Sequence, residues 1–96
     1  MAAYAMVEIS VADQQGMGPY REKVADTVAA HGGKYLILAG AIEVLEGNIG
    51  QHPAKVLLEF PSMDAARGWY ESAEYQAILP ARLQSSEANF LLVEGV

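Results

Sequence analysis

Apolar and polar residues alternate along four segments of this chain, which predicts four β-strands. Residues 4–11 show the pattern most clearly, because Val7 and Ile9 fall on one face of a strand while Met6 and Glu8 fall on the other. Similar patterns predict a long second strand over residues 35–45 with a bulge at Gly40, a third strand over residues 55–60 and a fourth over residues 90–94.

Between the first two strands, apolar positions instead recur every three or four residues, which is the period of an α-helix. The members of this stripe are Met17, Tyr20, Val24, Val28 and His31. Pro19 suits the first turn of a helix, because its fixed φ is already helical. Gly32 and Gly33 are expected to end the helix, since glycine adopts a left-handed conformation at little cost.

A second helical region is predicted between the third and fourth strands. Ser62 follows the third strand and can cap a helix, and Ser72 can cap its continuation after a break. We expect Pro80 to disturb that continuation, because proline removes a helical hydrogen bond. Trp69 falls on the apolar face of this region, and we expect it to lie in the core.

The order of these elements, β-α-β-β-α-β, predicts the α+β class and the ferredoxin-like split βαβ fold. Residues 1–96 are enough for a single domain of this kind. We expect an antiparallel sheet in the order 4-1-3-2, covered on one face by the two helical regions. We also expect strands 1 and 3 to be neighbours that run parallel to each other.

Only one face of such a sheet can be covered by the helices, and the other face is also partly apolar. The helix-facing side is predicted to hold Val7, Ile9, Val56, Leu58 and Phe60, and the opposite side Tyr4, Met6, Glu8, Leu57 and Glu59. Monomers seldom expose an apolar patch of this size. A second copy packing its own sheet against this face would form a dimeric α/β barrel. The sequence therefore predicts a homodimer, and its hydrophobic content of 52% agrees with that.

The net charge of −6 makes negatively charged partners less expected. The six lysines and arginines are scattered, so neither nucleic acid nor an anionic membrane surface is expected as a partner. No apolar run approaches the roughly 18 residues that span a bilayer, and no basic region typical of a signal peptide precedes the first strand. The chain has no cysteine and hence no disulfide. A cytoplasmic location is therefore expected.

Several short motifs make the chain similar to one known family over nearly its full length. They are residues 30–33 (AHGG), 44–47 (VLEG), 59–62 (EFPS), 65–70 (AARGWY), 72–76 (SAEYQ) and 93–95 (VEG), together with Arg82. In these motifs the chain resembles the domain of unknown function 1330 family, with Gly68 where a helix-forming residue is expected. The resemblance implies a ferredoxin-like, dimeric α/β-barrel fold. It implies no agreed activity and no catalytic residues.

Three titratable residues are candidates for acid-base catalysis. Glu8 and Glu59 are both predicted on the sheet face away from the helices, where two carboxylates in one pocket would raise at least one pKa. They can equally be solvated near the open end of the barrel, or pair with Arg82 or Lys55. His31, at the end of the first helix, can act as a base near neutral pH or donate to the last carbonyls of that helix.

Candidate binding groups lie in the second helical region. Arg67 and Arg82 have the fork geometry that binds a carboxylate, although such residues more often form surface ion pairs with acidic neighbours. The hydroxyl of Tyr75 can reach a pocket or a partner subunit. His52 is expected to be exposed in a loop. No spacing places two metal ligands together on a helix, so no metal site and no cofactor are predicted, while haem ligation by His31 stays open.

Together these features predict a homodimer that binds a small, partly apolar molecule, either between the sheet and the helices or at the mouth of the barrel. An enzyme and a non-catalytic binding protein both stay open. As an enzyme, it would perform acid-base chemistry or cofactor-free oxygenation on a small acid or a phenol-like compound. His31 or a glutamate would then be the base, and Arg67 or Arg82 would bind the anion. As a binding module it would sense an effector, and a purely structural dimer is the third alternative.

Overall fold

Four strands and three helices follow one another along the chain in the computed structural model, which describes residues 1–96. The strands are β1 (Ala3–Val11), β2 (Lys34–Leu38), β3 (Ala54–Phe60) and β4 (Ser86–Glu94), and the helices are α1 (Gly18–Ala30), α2 (Met63–Glu71) and α3 (Ala73–Ser85). The second predicted helical region is thus two helices, and the predicted break at Ser72 is confirmed.

The four strands form one sheet in the order β2-β3-β1-β4, which is the predicted order read from the other edge. All three neighbouring pairs are antiparallel. This confirms the ferredoxin-like α+β fold, but the expectation that strands 1 and 3 run parallel is wrong. The crossover through α1 leaves β1 and β2 in the same direction, and the connection from β2 to its neighbour β3 reverses the chain. β3 must therefore run antiparallel to β1.

Serine side chains determine where α2 and α3 begin. Ser62 Oγ accepts a hydrogen bond from the Ala65 N–H at 3.0 Å, and Ser72 Oγ accepts one from the Tyr75 N–H at 3.2 Å. Each bond satisfies one of the N–H groups that a helix leaves free in its first turn. These two caps give α2 and α3 separate starting points although only Ser72 lies between the helices.

Helix α3 and strand β4 are both longer than predicted. α3 continues through Pro80, so the expected disturbance is wrong. A proline removes only one hydrogen bond from the helical ladder, and the buried side chains of Ile78 and Leu79 hold this part of the helix against the core. β4 begins at Ser86 rather than at Phe90, because it pairs with β1 along the whole length of that strand.

Residues 39–53, which we call the arm, lie outside the sheet. The predicted strand over residues 35–45 is therefore wrong in its second half, although its apolar residues continue. Ala39 has a positive φ of 51°, which turns the chain away from the strand direction. β3 begins only after Pro53, which has no N–H with which to extend a ladder. The arm consequently has no strand partner, and most of it is exposed, including Leu45.

The core lies between the helices and one face of the sheet. Its largest fully buried side chains are Trp69, Tyr75, Phe60 and Val28. The indole N–H of Trp69 donates to Thr27 Oγ1 at 3.0 Å, which satisfies the one polar group of that side chain. The prediction that Trp69 is a core residue is confirmed.

The opposite face of the sheet is not covered by any element of the chain, and we call it the open face. Strand register places Met6 of β1 beside Leu57 of β3 and Leu91 of β4 on this face. Met6 and Leu91 keep 48% and 57% of their surface accessible. Val7, which follows Met6 in β1 and lies on the face covered by the helices, is buried. The predicted division into a helix-facing side and an uncovered apolar side is therefore confirmed. None of the three helices is long and apolar enough to cross a membrane.

Candidate functional site

A cavity of about 210 Å³ lies between the sheet and the helices α1 and α3. Of the 15 residues that line it, 13 are hydrophobic, and the other two are Arg21 and Arg82. The wall is thus apolar with positive charge and no acidic group. Larger depressions of about 670 Å³ on the open face and about 770 Å³ beside α1 and α3 are more open to solvent. The cavity between the sheet and the helices, the least open of the three, is therefore the candidate site.

Arg82 supplies the buried charge of this cavity. It lies in the last turn of α3, where a cation interacts favourably with the helix dipole, and only 4% of its surface is accessible. Its Nε has no hydrogen-bond partner, and none of the three ion pairs in the structure includes it. Its guanidinium carbon lies 5.2 Å from the ring centre of Phe90 and 5.8 Å from that of Tyr20. Aromatic rings therefore surround a buried cation that has no anionic partner.

One buried and two partly buried tyrosines extend the polar part of the site. The hydroxyls of Tyr20 and Tyr75 are 2.9 Å apart, so one donates a hydrogen bond to the other. Burial raises the pKa of both phenols, and the nearby Arg82 opposes that rise at Tyr75. Burial also raises the pKa of Tyr35, which lines the cavity beside Tyr20. All three phenols are consequently neutral near neutral pH, and they act as hydrogen-bonding groups and not as bases.

Two candidate residues from the sequence lie away from this cavity. The Nδ1–H of His31 donates to the Thr27 carbonyl at 3.1 Å, a contact with one of the last carbonyls of α1. Arg67 is exposed on α2 and forms an ion pair with Asp64 at 3.2 Å. Neither His31 nor Arg67 lines any of the three depressions. Of the candidate side chains, only Arg82 lines the cavity, and Tyr75 is connected to it through Tyr20, which lines the cavity.

Glu8 and Glu59 both lie on the open face, as predicted, but they do not form a pair. In the antiparallel register Glu8 is opposite Lys55, and Glu59 is opposite Tyr4. The two glutamates are therefore separated by four positions along the strands, which is about 13 Å at about 3.3 Å per residue. The mutual repulsion that would have raised one pKa is absent for this reason.

Each of these glutamates has a cationic partner of its own. Glu8 accepts hydrogen bonds from Lys55 Nζ at 2.8 Å and from Asn89 Nδ2 at 2.6 Å, and the two bonds lower its pKa. Glu59 forms an ion pair with Lys34 at 3.2 Å. The prediction of a raised pKa is therefore wrong for Glu8, and the arrangement is that of ion-paired residues on a strand.

His52 is buried, with 8% of its surface accessible, so the expectation that it is exposed is wrong. Its Nδ1 and the Ser10 Oγ are 2.8 Å apart, and Lys55 Nζ donates to the carbonyls of His52 and Ile49 at 2.7 Å each. These contacts fasten the end of the arm to β1 and β3. No three His, Cys, Asp or Glu side chains are grouped so that they could hold a metal ion.

The sequence did not separate Arg82 from Arg67, and it did not single out Tyr20 as a site residue. A signal for Arg82 was present, because it follows Ile78 and Leu79 by four and three residues in α3. This helical spacing places it on the same buried face as those two apolar side chains. The spacing of Tyr20 in the sequence predicts only a place in the apolar stripe of α1, and nothing in that spacing indicates a hydrogen bond to Tyr75.

Solved structures are similar to this chain in fold, and its sequence matches a family model. Residues 2–96 match the family model described as Domain of unknown function (DUF1330). No curated protein matches the chain. The match extends over almost the whole chain, so it includes every residue that lines the cavity.

Solved structures similar to the chain have low sequence identity. A protein of unknown function from Rhodopseudomonas palustris has a TM-score of 0.77 and 13% identity, covering 99% of this chain and 82% of that chain. A dimeric ferredoxin-like protein of unknown function from Jannaschia sp. CCS1 has a TM-score of 0.69 and 15% identity, covering 99% and 100%. SnoaB, a cofactor-independent oxygenase from Streptomyces nogalater, has a TM-score of 0.64 and 10% identity, covering 98% and 92%. These likenesses show the fold alone.

Proposed function

The chain belongs to the domain of unknown function 1330 family, and we propose that it is a homodimeric domain that binds a small, partly apolar molecule between its sheet and its helices. The observation that carries this proposal is the apolar cavity between the sheet and the helices, with the buried Arg82, which forms no ion pair, in its wall. Protein interiors are normally close-packed, and an apolar cavity of about 150 Å³ is enough to bind benzene. A cavity of about 210 Å³ therefore fits one aromatic ring with a substituent, or a short alkyl chain.

The open face and the arm support the homodimer. Met6 and Leu91 expose apolar surface on the sheet, and the arm adds Leu45, which is 84% accessible. A stable interface buries more than about 1,000 Å², and a four-stranded sheet face with an adjoining arm can supply an area of that order. The protein from Jannaschia sp. CCS1, which has this fold, is described as dimeric. A location in the cytoplasm stays a prediction.

The groups that line the cavity favour binding over acid-base chemistry. No Asp, Glu or His lines it, and the raised pKa values of Tyr20 and Tyr35 keep both phenols protonated near neutral pH. A general base must lie within hydrogen-bond reach of the proton that it removes. His31, Glu8 and Glu59 do not line the cavity, so the site has donors and a cation but no base. An effector-binding role fits this set of groups.

A cofactor-free oxygenase is the second candidate function, because SnoaB, which has this fold, is described as a cofactor-independent oxygenase. In such a reaction O₂ would convert a phenol into a quinone, one oxygen atom entering the ring and the other leaving as water with two hydrogens of the substrate. Arg82 would then stabilise the phenolate form of the substrate. Oxygen uptake with 1-naphthol as the probe, lost in Arg82→Met, would favour this function, and no uptake above the buffer rate would exclude it for such phenols.

Nuclear magnetic resonance titration tests whether the cavity binds a ligand at all. Benzoate and benzamide are suitable probes, because each has one ring and one polar substituent. We expect at least one of them to shift the methyl resonances of Val24 and Val56, which line the cavity. Val24→Phe fills the cavity and should abolish the shift of the Val56 methyl resonances, whereas Val96→Phe, at an exposed position, should leave it unchanged. Shifts that survive Val24→Phe, or that occur only on the open face, would contradict the proposal.

A further inference from the structure

We infer that the ligand of this cavity is a monocarboxylate, with its carboxylate bound by Arg82 and its apolar part filling the remaining space; this inference rests on the proposed function. The positive charge of Arg82 is not balanced by a negative charge inside the fold. Arg82 carries a cationic guanidinium and is 4% exposed, and no side chain of opposite charge pairs with it. A buried charge without a partner is strongly unfavourable, so this residue indicates a missing anion.

No acidic side chain of the chain pairs with Arg82. None of the residues that line the cavity is acidic. The carboxylates of the two central strands, Glu8 and Glu59, lie on the open face, so the sheet separates them from Arg82. Each is already paired with a lysine, Glu8 with Lys55 at 2.8 Å and Glu59 with Lys34 at 3.2 Å. The balancing charge must therefore come from outside the chain.

The donors around Arg82 are arranged to receive a carboxylate. A guanidinium group binds a carboxylate through two parallel N–H bonds, and the Nε of Arg82 has no partner in the chain. The hydroxyls of Tyr20 and Tyr75 share a single hydrogen bond of 2.9 Å, which leaves one of the two O–H groups free to donate. Burial keeps both phenols protonated by raising their pKa. A carboxylate would thus find a cation and a neutral donor together.

Charge and size restrict the class of ligand further. Arg21, the other cationic residue of the wall, is exposed, and its Nη1 lies 3.4 Å from the Gln14 carbonyl. Only Arg82 is removed from water, and one buried cation balances one negative charge. This favours a monocarboxylate over a dicarboxylate or a doubly charged phosphate. The hydrophobic remainder of the wall then selects an aromatic ring or a short alkyl chain in the rest of the molecule.

Matched pairs of acids and amides test this inference. We would titrate benzoate against benzamide, and hexanoate against hexanamide, by calorimetry in a chloride-free buffer. Each carboxylate should bind at least about tenfold more tightly than its amide, because only the carboxylate carries a negative charge that pairs with the guanidinium through two parallel N–H bonds. Arg82→Met keeps most of the volume of the side chain and should remove the preference. Arg67→Met removes an exposed arginine and should keep it, which makes it the matched control.

Thermal unfolding without ligand gives an independent measurement. Arg82→Met replaces an unpaired buried charge by an apolar side chain, so the ligand-free variant should melt at a higher temperature than ligand-free wild type. If the variant melts at a lower temperature, the fold itself satisfies Arg82 and the inference is overturned. Arg82→Gln, which also lacks the charge, is the second variant for the titrations.

The titrations separate failure of this inference from failure of the proposed function. Equal affinities for each acid and its amide would overturn the monocarboxylate while leaving a small-molecule site in place. A preference that survives in Arg82→Met would likewise overturn the role of Arg82. If none of the four probes binds, the proposed function and this inference are both wrong.

Discussion

Replacement of Trp69 by alanine tests how this small core is held together. The indole is fully buried, and its ring centre lies 4.3 Å from that of Tyr75, 5.2 Å from that of Phe60 and 5.8 Å from that of Phe90. Truncation would remove these contacts and leave a void, because neighbouring aromatic rings on three different elements cannot all move inward. Substitutions of this kind cost about 3–5 kcal/mol.

This cost is large for a chain of 96 residues, whose free energy of unfolding is expected to be about 5–14 kcal/mol. The melting temperature should fall by about 12 °C or more, at about 4 °C or more per kcal/mol for a domain of this size. Urea unfolding followed by far-ultraviolet circular dichroism is the suitable assay, because the substitution removes the only tryptophan. The protein concentration must be held constant, since association of subunits stabilises the folded state.

Two conservative substitutions separate packing from hydrogen bonding at this position. Trp69→Phe keeps a ring but loses the N–H that donates to Thr27 Oγ1, and Thr27→Val removes the acceptor. Breaking this buried bond from either side should cost about 1–3 kcal/mol. The double variant should cost less than the sum of the single changes, because both break the same bond. If Trp69→Ala unfolds within about 1 kcal/mol of wild type, the packing argument is wrong.

Three further predictions concern the dimer, His31 and Glu8. Light scattering at micromolar concentration should give a dimer for wild type and for Leu83→Arg on α3, but a monomer for Leu91→Arg on the open face; a monomeric wild type would refute the dimer. His31→Gln should change the free energy of unfolding by only about 0.5–1 kcal/mol in urea and leave benzoate binding intact in calorimetry; loss of binding would show that His31 reaches the ligand. The hydrogen bond from Lys55 lowers the pKa of Glu8, so this contact stabilises the fold above the ordinary value of 4.5 and is lost as pH falls through the lower folded value. Thermal melts across that range should therefore show a steeper loss of stability for wild type than for Glu8→Gln, and parallel curves would count against the ion pair.

The fold was predictable because its main signals are local. Alternation in β1 and β3 and the serine caps of α2 and α3 are short-range patterns, and each corresponds to an observed element. The second half of the predicted strand over residues 35–45 failed for a non-local reason. A strand needs a hydrogen-bonded neighbour, and Pro53 and the turns of the arm leave none within one chain.

The candidate site was only partly predictable, because it depends on register and on burial. Alternation placed Glu8 and Glu59 on the correct face, but only the antiparallel register shows that they are too far apart to interact. Arg67 and Arg82 have the same chemistry in sequence, and the structure separates an exposed ion-paired residue from a buried unpaired one. The hydrogen bond between Tyr20 and Tyr75 joins residues 55 positions apart, and no sequence spacing indicates it.

A crystal structure of the protein grown with benzoate would show the ligand site itself. We expect a ligand between the sheet and α1 and α3, with its carboxylate on the Arg82 guanidinium and its ring against Val56 and Leu58. The same crystals should show whether a second copy covers the open face. An empty cavity at a benzoate concentration that saturates binding in solution, or benzoate bound only on the open face, would show that Arg82 does not form a carboxylate site.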